Sequence, residues 1–120
     1  MSIMSTNRSR VILLVATLAA SSTLLATLDN QKGFLAKYPD AKDKGLGKCT
    51  TCHVKPLPKK EDHELNAYGK ALKEKDVVDA KAEKKTYDFA KIESLDSDGD
   101  GVSNIDEIKK GTNPGDPKSK

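Results

Sequence analysis

The sequence predicts an all-α fold with long loops, built as a single small domain. Three observations predict it. Apolar residues recur three and four positions apart in short stretches, no stretch alternates convincingly in the manner of a strand, and Gly and Pro separate one stretch from the next. A chain of 120 residues has room for one domain at most.

Each element follows from local pattern. Residues 31–38 carry Phe34, Leu35 and Tyr38 at helical spacing, and Pro39 ends the run. Residues 41–48 form a Gly- and Lys-rich loop, and Pro56 and Pro58 stiffen an extended connector over 55–60. Leu65, Tyr68 and Leu72 predict a second helix, weakened by Gly69. Residues 76–85, rich in Ala, Lys and acids, read as a solvated helix. Phe89, Ile92 and Leu95 line one face of a further helix running into Asp96, and Ile105 and Ile108 mark a last short helix stopped by Gly111 and Pro114. There is no internal repeat.

Composition splits the chain in two. Residues 1–28 hold 16 hydrophobic residues and only two charges, Arg8 and Arg10. Residues 29–120 hold 15 Leu, Ile, Val or Phe against 19 Lys and 18 Asp or Glu. A share that low, below roughly 20%, is the range of disordered chains, but the near-zero net charge of +1 does not force expansion. These numbers exclude a multi-domain enzyme, a multi-span membrane protein and a conventional large hydrophobic core. Something other than side chains must help this domain fold.

Arg8 and Arg10 precede a short apolar run over residues 11–20, followed by Ser21, Ser22 and Thr23. A basic start, an apolar run and small residues make a secretory signal peptide over 1–28; cleavage after Ser22 would put Ala20 and Ser22 at the small-residue positions. The rival reading is an uncleaved anchor, because residues 11–28 are mostly apolar and near the lower limit for a span. The polar interruption favours cleavage. Either way the remainder works outside the cytoplasm, as a periplasmic or secreted protein or one anchored to the outer face of the inner membrane. Membrane contact is expected only if the segment stays on. Lysines interspersed with acids form no sustained basic stripe, so no nucleic-acid partner is expected.

The exported part divides into residues 29–95, which carry both cysteines, and an acidic loop with its tail, 96–120, within the same domain. Cys49-Thr50-Thr51-Cys52-His53 contains the only two cysteines and forms C-x-x-C-H, the attachment motif for a c-type haem. Two thiols on one helical turn can each add to one haem vinyl group, and the adjacent His53 then falls beneath the iron as proximal ligand. A disulfide closing so small a loop would stabilise little, a thioredoxin-like pair wants a βαβ context, and a zinc site of Cys49, Cys52, His53 and His63 matches only in ligand count. On these residues the chain resembles the mono-haem c-type cytochromes. The resemblance implies one covalent haem c, a small cytochrome c-like helical domain around it, and single-electron transfer with periplasmic redox partners.

The second axial position departs from the commonest pattern, a distal Met. The only methionines, Met1 and Met4, lie in the export segment. His63 is the only other histidine, and ten residues of chain can span up to roughly 33 Å, enough to round a haem edge. His63 is therefore the favoured distal ligand, giving bis-imidazole coordination and a lower potential than Met/His. Tyr68, Asn66, a lysine or water compete. An open position would instead suit a small-ligand sensor.

Residues 96–107 read as a 12-residue EF-hand-type loop. Asp96, Asp98 and Asp100 take positions 1, 3 and 5, Gly101 the turn at 6, Val102 offers its carbonyl at 7, Asn104 lies at 9 and Glu107 is the bidentate carboxylate at 12. Four carboxylates so close repel one another without a cation, so one Ca²⁺ is expected. Ser103 stands where paired EF-hands carry an apolar residue, and there is no second loop. With residues 108–114 the segment looks like a single thrombospondin type 3-like calcium repeat, over about the last 25 residues. That resemblance implies a structural metal site within a C-terminal helix-loop-helix motif.

Residues 29–75 carry a net +4 and residues 76–120 a net −3, which one Ca²⁺ would largely offset. The lysine-rich half could steer an acidic redox partner. No nucleophile paired with a base can be picked out, so no enzyme is expected; a calcium-stabilised structural or adhesion module is the third reading, weakened by the lone loop. The thin core then reads as dependence on cofactors, with Phe34, Leu35, Tyr38, Leu65, Tyr68 and Leu72 placed to pack around a haem.

Overall fold

A computed structural model of the chain describes residues 28–59, 61 and 63–120. The expected export segment, residues 1–28, lies outside the described residues but for Leu28. Gln31–Lys120 form one compact unit, and no helix among the described residues is long and apolar enough to cross a membrane.

The first helix, α1, runs over residues 28–37. Its last turn is closed by the Tyr38 amide donating to the Phe34 carbonyl at 2.9 Å. Pro39, which has no amide to donate, turns the chain into the short 3-10 segment Pro39–Ala41. A loop then leads to the 3-10 turn Cys49–Thr51. Beyond it the chain runs extended, and His53 pairs antiparallel with Leu65 across the Pro56–Pro58 connector.

Helix α2, Ala67–Glu74, starts where Asn66 caps it by accepting from the Gly69 amide. Gly69 looks like a helix weakener in the sequence. Its place against the Cys52 backbone gives the reason for it: a Cβ there would run into the Cys52 carbonyl oxygen. The last helix, α3, is Asn104–Lys110, capped by Ser103, whose Oγ accepts from the Asp106 amide at 3.3 Å, and closed at Gly111.

The fold is helix-rich but not purely all-α. The segment expected as a solvated helix over 76–85 instead opens into a two-stranded antiparallel sheet, β1 Val78–Asp79 against β2 Thr86–Tyr87. Asp76 takes a positive φ of 48°, which breaks helical continuation after α2. Val77 is then driven into the core while its carbonyl accepts from Asp88 at 2.9 Å, so the chain must double back. β-branched Val77 and Val78 suit that extended path better than a helix. The helix expected around Phe89, Ile92 and Leu95 is reduced to a 3-10 turn, Phe89–Ile92.

The core is small and aromatic. Phe34 lies 5.2 Å from Tyr38, 5.8 Å from Phe89 and 6.3 Å from Tyr68 between ring centroids, in tilted and edge-on arrangements. Tyr87 stacks on Phe89 at 5.8 Å, and Leu46, Val77, Ile92 and Ile108 fill the rest. Phe34, Tyr38 and Tyr68 therefore pack on one another, with Leu35 and Leu72 at the edge of the same cluster.

Candidate functional site

The C-x-x-C-H segment is a tight turn in which almost every backbone carbonyl has a partner. The Thr51 amide donates to Lys48 at 3.1 Å, and the Cys52 and His53 amides both donate to Cys49, at 3.2 and 2.8 Å. The next two carbonyls are held from outside. Asn66 Nδ2 donates to the Thr50 and Thr51 oxygens at 3.0 and 3.1 Å, and Asn113 Nδ2 donates to Thr50 at 2.7 Å. The Asn66 amide itself donates to the Cys52 carbonyl at 2.9 Å. The close approach that Gly69 allows lets α2 abut this turn.

Both thiols are free. Burial, with the neighbouring Cys49 second, pushes the Cys52 thiol up to about 12, so it is a neutral S–H at physiological pH. His53 is half-buried, with its Nδ1 3.3 Å from the His63 carbonyl. A carbonyl only accepts, so in this contact Nδ1 is the donor. Two thiols on one turn beside an imidazole form a donor set that fits a covalently attached, axially ligated haem. His63 is exposed, and it is the His63 carbonyl that reaches the His53 ring, on the side away from Nε2. Leu65, the partner of His53, lines an open groove of about 740 Å³ with Glu61, His63, Glu64, Lys70, Lys73 and Glu74.

The acidic loop is organised around its first residue. Asp96 Oδ1 accepts from the Gly99 and Asp100 amides at 2.9 and 3.2 Å, and Oδ2 from Gly101 at 2.8 Å. Asp98 and Asp100 each accept the amide two residues on, at 3.2 and 2.9 Å. Gly101 makes the sharp turn with φ of 91°. The three aspartates bring carboxylate oxygens within 4.8 Å of one another.

Glu107 is not among the carboxylates whose oxygens lie within 4.8 Å of one another, but it feels the charge of all three aspartates. The Gly101 amide foremost, with those of Gly99 and Asp100, holds the Asp96 carboxyl below its ordinary range. Burial, then the Asp98 and Asp100 charges, pushes Glu107 up to about 7; burial, then the Asp100 charge, pushes Asp98 up to about 6. Glu107 is only 1% exposed, and its Oε2 and Asp98 Oδ2 are buried without a hydrogen-bond partner. Buried, unpartnered carboxylate oxygens facing other carboxylates fit a divalent cation of the oxygen-seeking kind.

Not every expected ligand joins the cluster through its side chain. Asn104 is buried and already engaged: its Nδ2 donates to the Ile92 carbonyl and Ser97 Oγ, both at 2.8 Å, and its Oδ1 accepts from the Ser97 amide at 3.3 Å. It locks α3 to the incoming 3-10 turn. Val102 contributes its amide to Asp100. Of the competitors for the second axial position, Asn66 is committed to the cysteine turn. Tyr68 is wholly buried, its hydroxyl without a hydrogen-bond partner.

Sequence reasoning missed Asn113 and saw Asn66 only as a competing iron ligand, not as a partner of the cysteine turn. Their signals are local: an Asn just ahead of a helix with Gly69 three residues on marks a cap, and Asn113-Pro114-Gly115 is a turn, in which Asn113 Oδ1 accepts the Gly115 amide at 2.9 Å. Neither signal reveals that the other end of each amide reaches the cysteines' turn. No family model, no curated protein and no solved structure matches the chain.

Proposed function

We propose that the chain is an exported mono-haem c-type electron carrier whose C-terminal loop holds one structural Ca²⁺. The observation that carries the reading is the C-x-x-C-H turn itself, with two free thiols and a neighbouring imidazole whose Nδ1 meets a backbone carbonyl. Cys49 and Cys52 would hold the macrocycle through thioether bonds. His53 would be its protein ligand through Nε2, with Nδ1 set against the His63 carbonyl. The haem supplies a one-electron couple between ferric and ferrous iron.

Asp96, Asp98, Asp100 and Glu107 hold the calcium, with the Val102 carbonyl at position 7 and Asn104 acting structurally at position 9. A weak site, with Kd on the order of 0.1–1 mM, is enough for constant occupancy outside the cell. The net +4 of residues 29–75 suits acidic redox partners.

Two readings of the sixth iron position remain. His63 is the other histidine able to take it, but residue 63 would then have to leave the Nδ1 side of His53. The contact between His53 Nδ1 and the His63 carbonyl favours the second reading, an open position that binds small ligands. Absorbance of the purified protein, oxidised, reduced and exposed to carbon monoxide, tests both. Haem bands with no response to carbon monoxide support the six-coordinate carrier, and rapid binding supports the open site. Absence of haem bands defeats the proposal.

A further inference from the structure

The two candidate sites are joined by the segment that leaves α3. Thr50, in the middle of the cysteine turn, has a carbonyl with no amide of the turn itself donating to it; it is held by Asn66 Nδ2 and Asn113 Nδ2. Asn66 is anchored by α2, because its Oδ1 accepts the Gly69 amide at 2.9 Å. Asn113 is anchored by the calcium loop. It follows Thr112, whose amide donates to the Glu107 carbonyl at 2.9 Å and whose Oγ1 donates to Glu107 Oε1 at 3.4 Å. Glu107 is the carboxylate at position 12, with its other oxygen buried and unpartnered.

We infer that Asn66 and Asn113 are positioning residues for haem attachment, and that Asn113 makes the order of the cysteine turn depend on calcium in the 96–107 loop. The inference rests on the haem and calcium readings above. Asn66 holds the turn from a helix that stands without metal. Asn113 holds it from a segment tied to Glu107, and without a cation the Glu107 side chain, its Oε2 buried with no partner, is held less firmly. Thr112 loosens with it, and Asn113 loses its aim at Thr50. A cation that holds Glu107 inward keeps Asn113 on the turn. By linkage, ordering the turn also favours the closed calcium loop.

Amide hydrogen exchange over residues 49–53 of the full chain, in calcium and in chelator, tests the coupling. Asn113→Asp keeps the oxygen that accepts from Gly115 and removes the donor to Thr50. In the unaltered chain, chelation should speed exchange at Cys52 and His53 by at least about fivefold. In Asn113→Asp, exchange should already be fast in calcium and barely change on chelation. Thr112→Val, which leaves Asn113 in place and cuts the hydroxyl's tie to Glu107 Oε1 while keeping the backbone bond, should shrink the response should Asn113→Asp fail to fold. Exchange that ignores chelation in the unaltered chain, or a full response in the variants, overturns the inference. Haem absorbance and calcium calorimetry on the same samples separate the failures. Haem and calcium present without coupling defeats the inference alone; absence of calcium binding defeats both it and the calcium reading.

Discussion

The carbonyls of the cysteine turn are held by amide side chains reaching in from two other elements, Asn66 and Asn113. The loop from Asp96 to Glu107 is held by its own amides, three of them converging on Asp96. The first site presents a protonated Cys52 thiol and an imidazole whose Nδ1 meets a backbone carbonyl. The second concentrates negative charge, two carboxylates with raised proton affinity and two buried oxygens without partners. On the proposed reading, the haem site is complete before its ligand arrives, whereas the calcium site is closed in shape but open in charge. The two regions should respond differently to the same kind of damage.

The largest contrast comes from the ligands themselves. Cys49→Ser with Cys52→Ser should abolish the visible haem bands, while calorimetry should still detect calcium binding. Glu107→Gln should weaken calcium by about 10–100-fold or more and lower haem per chain far less than the cysteine variants do, because Asn66 still holds the turn.

Gly69→Ala comes next, and its sign is diagnostic. Helix propensity alone predicts a gain of roughly 0.5–1 kcal/mol. The collision of a Cβ with the Cys52 carbonyl predicts a loss of about 1–3 kcal/mol, read by chemical denaturation.

The smallest expected effect is in pH. Asp98 and Glu107, with ordinary values of 3.8 and 4.5, are raised to about 6 and about 7 in the fold. The calcium-free folded state therefore holds more protons than the unfolded chain across that window. Its stability should fall as pH rises from about 4 to about 7. Saturating calcium should remove that fall, because the cation replaces the protons. A thermal melt series in chelator that is flat or rising over this range would contradict the assignment.

Much of this was legible in the sequence. The helix ended by Pro39, the one around Tyr68 and the one stopped by Gly111 were read from apolar spacing and end signals, because those signals are local. The charge-rich stretch 76–85 was misread because one buried valine decided it: Val77 has no periodic partner, yet its burial and the positive φ at Asp76 force a hairpin. Asn104 was read as a ligand because position 9 often is one, whereas its burial and its bonds to Ile92 and Ser97 make it a brace. Asn113 reaches Thr50 across 63 positions of chain, and no periodicity records such a contact.

The central claim is that Cys49 and Cys52 are thioether-bound to one haem, and the intact mass of the exported chain after acid and organic extraction tests it most directly. The account predicts the mature polypeptide plus one haem, with neither cysteine open to alkylation. A bare polypeptide with two alkylatable thiols would contradict it.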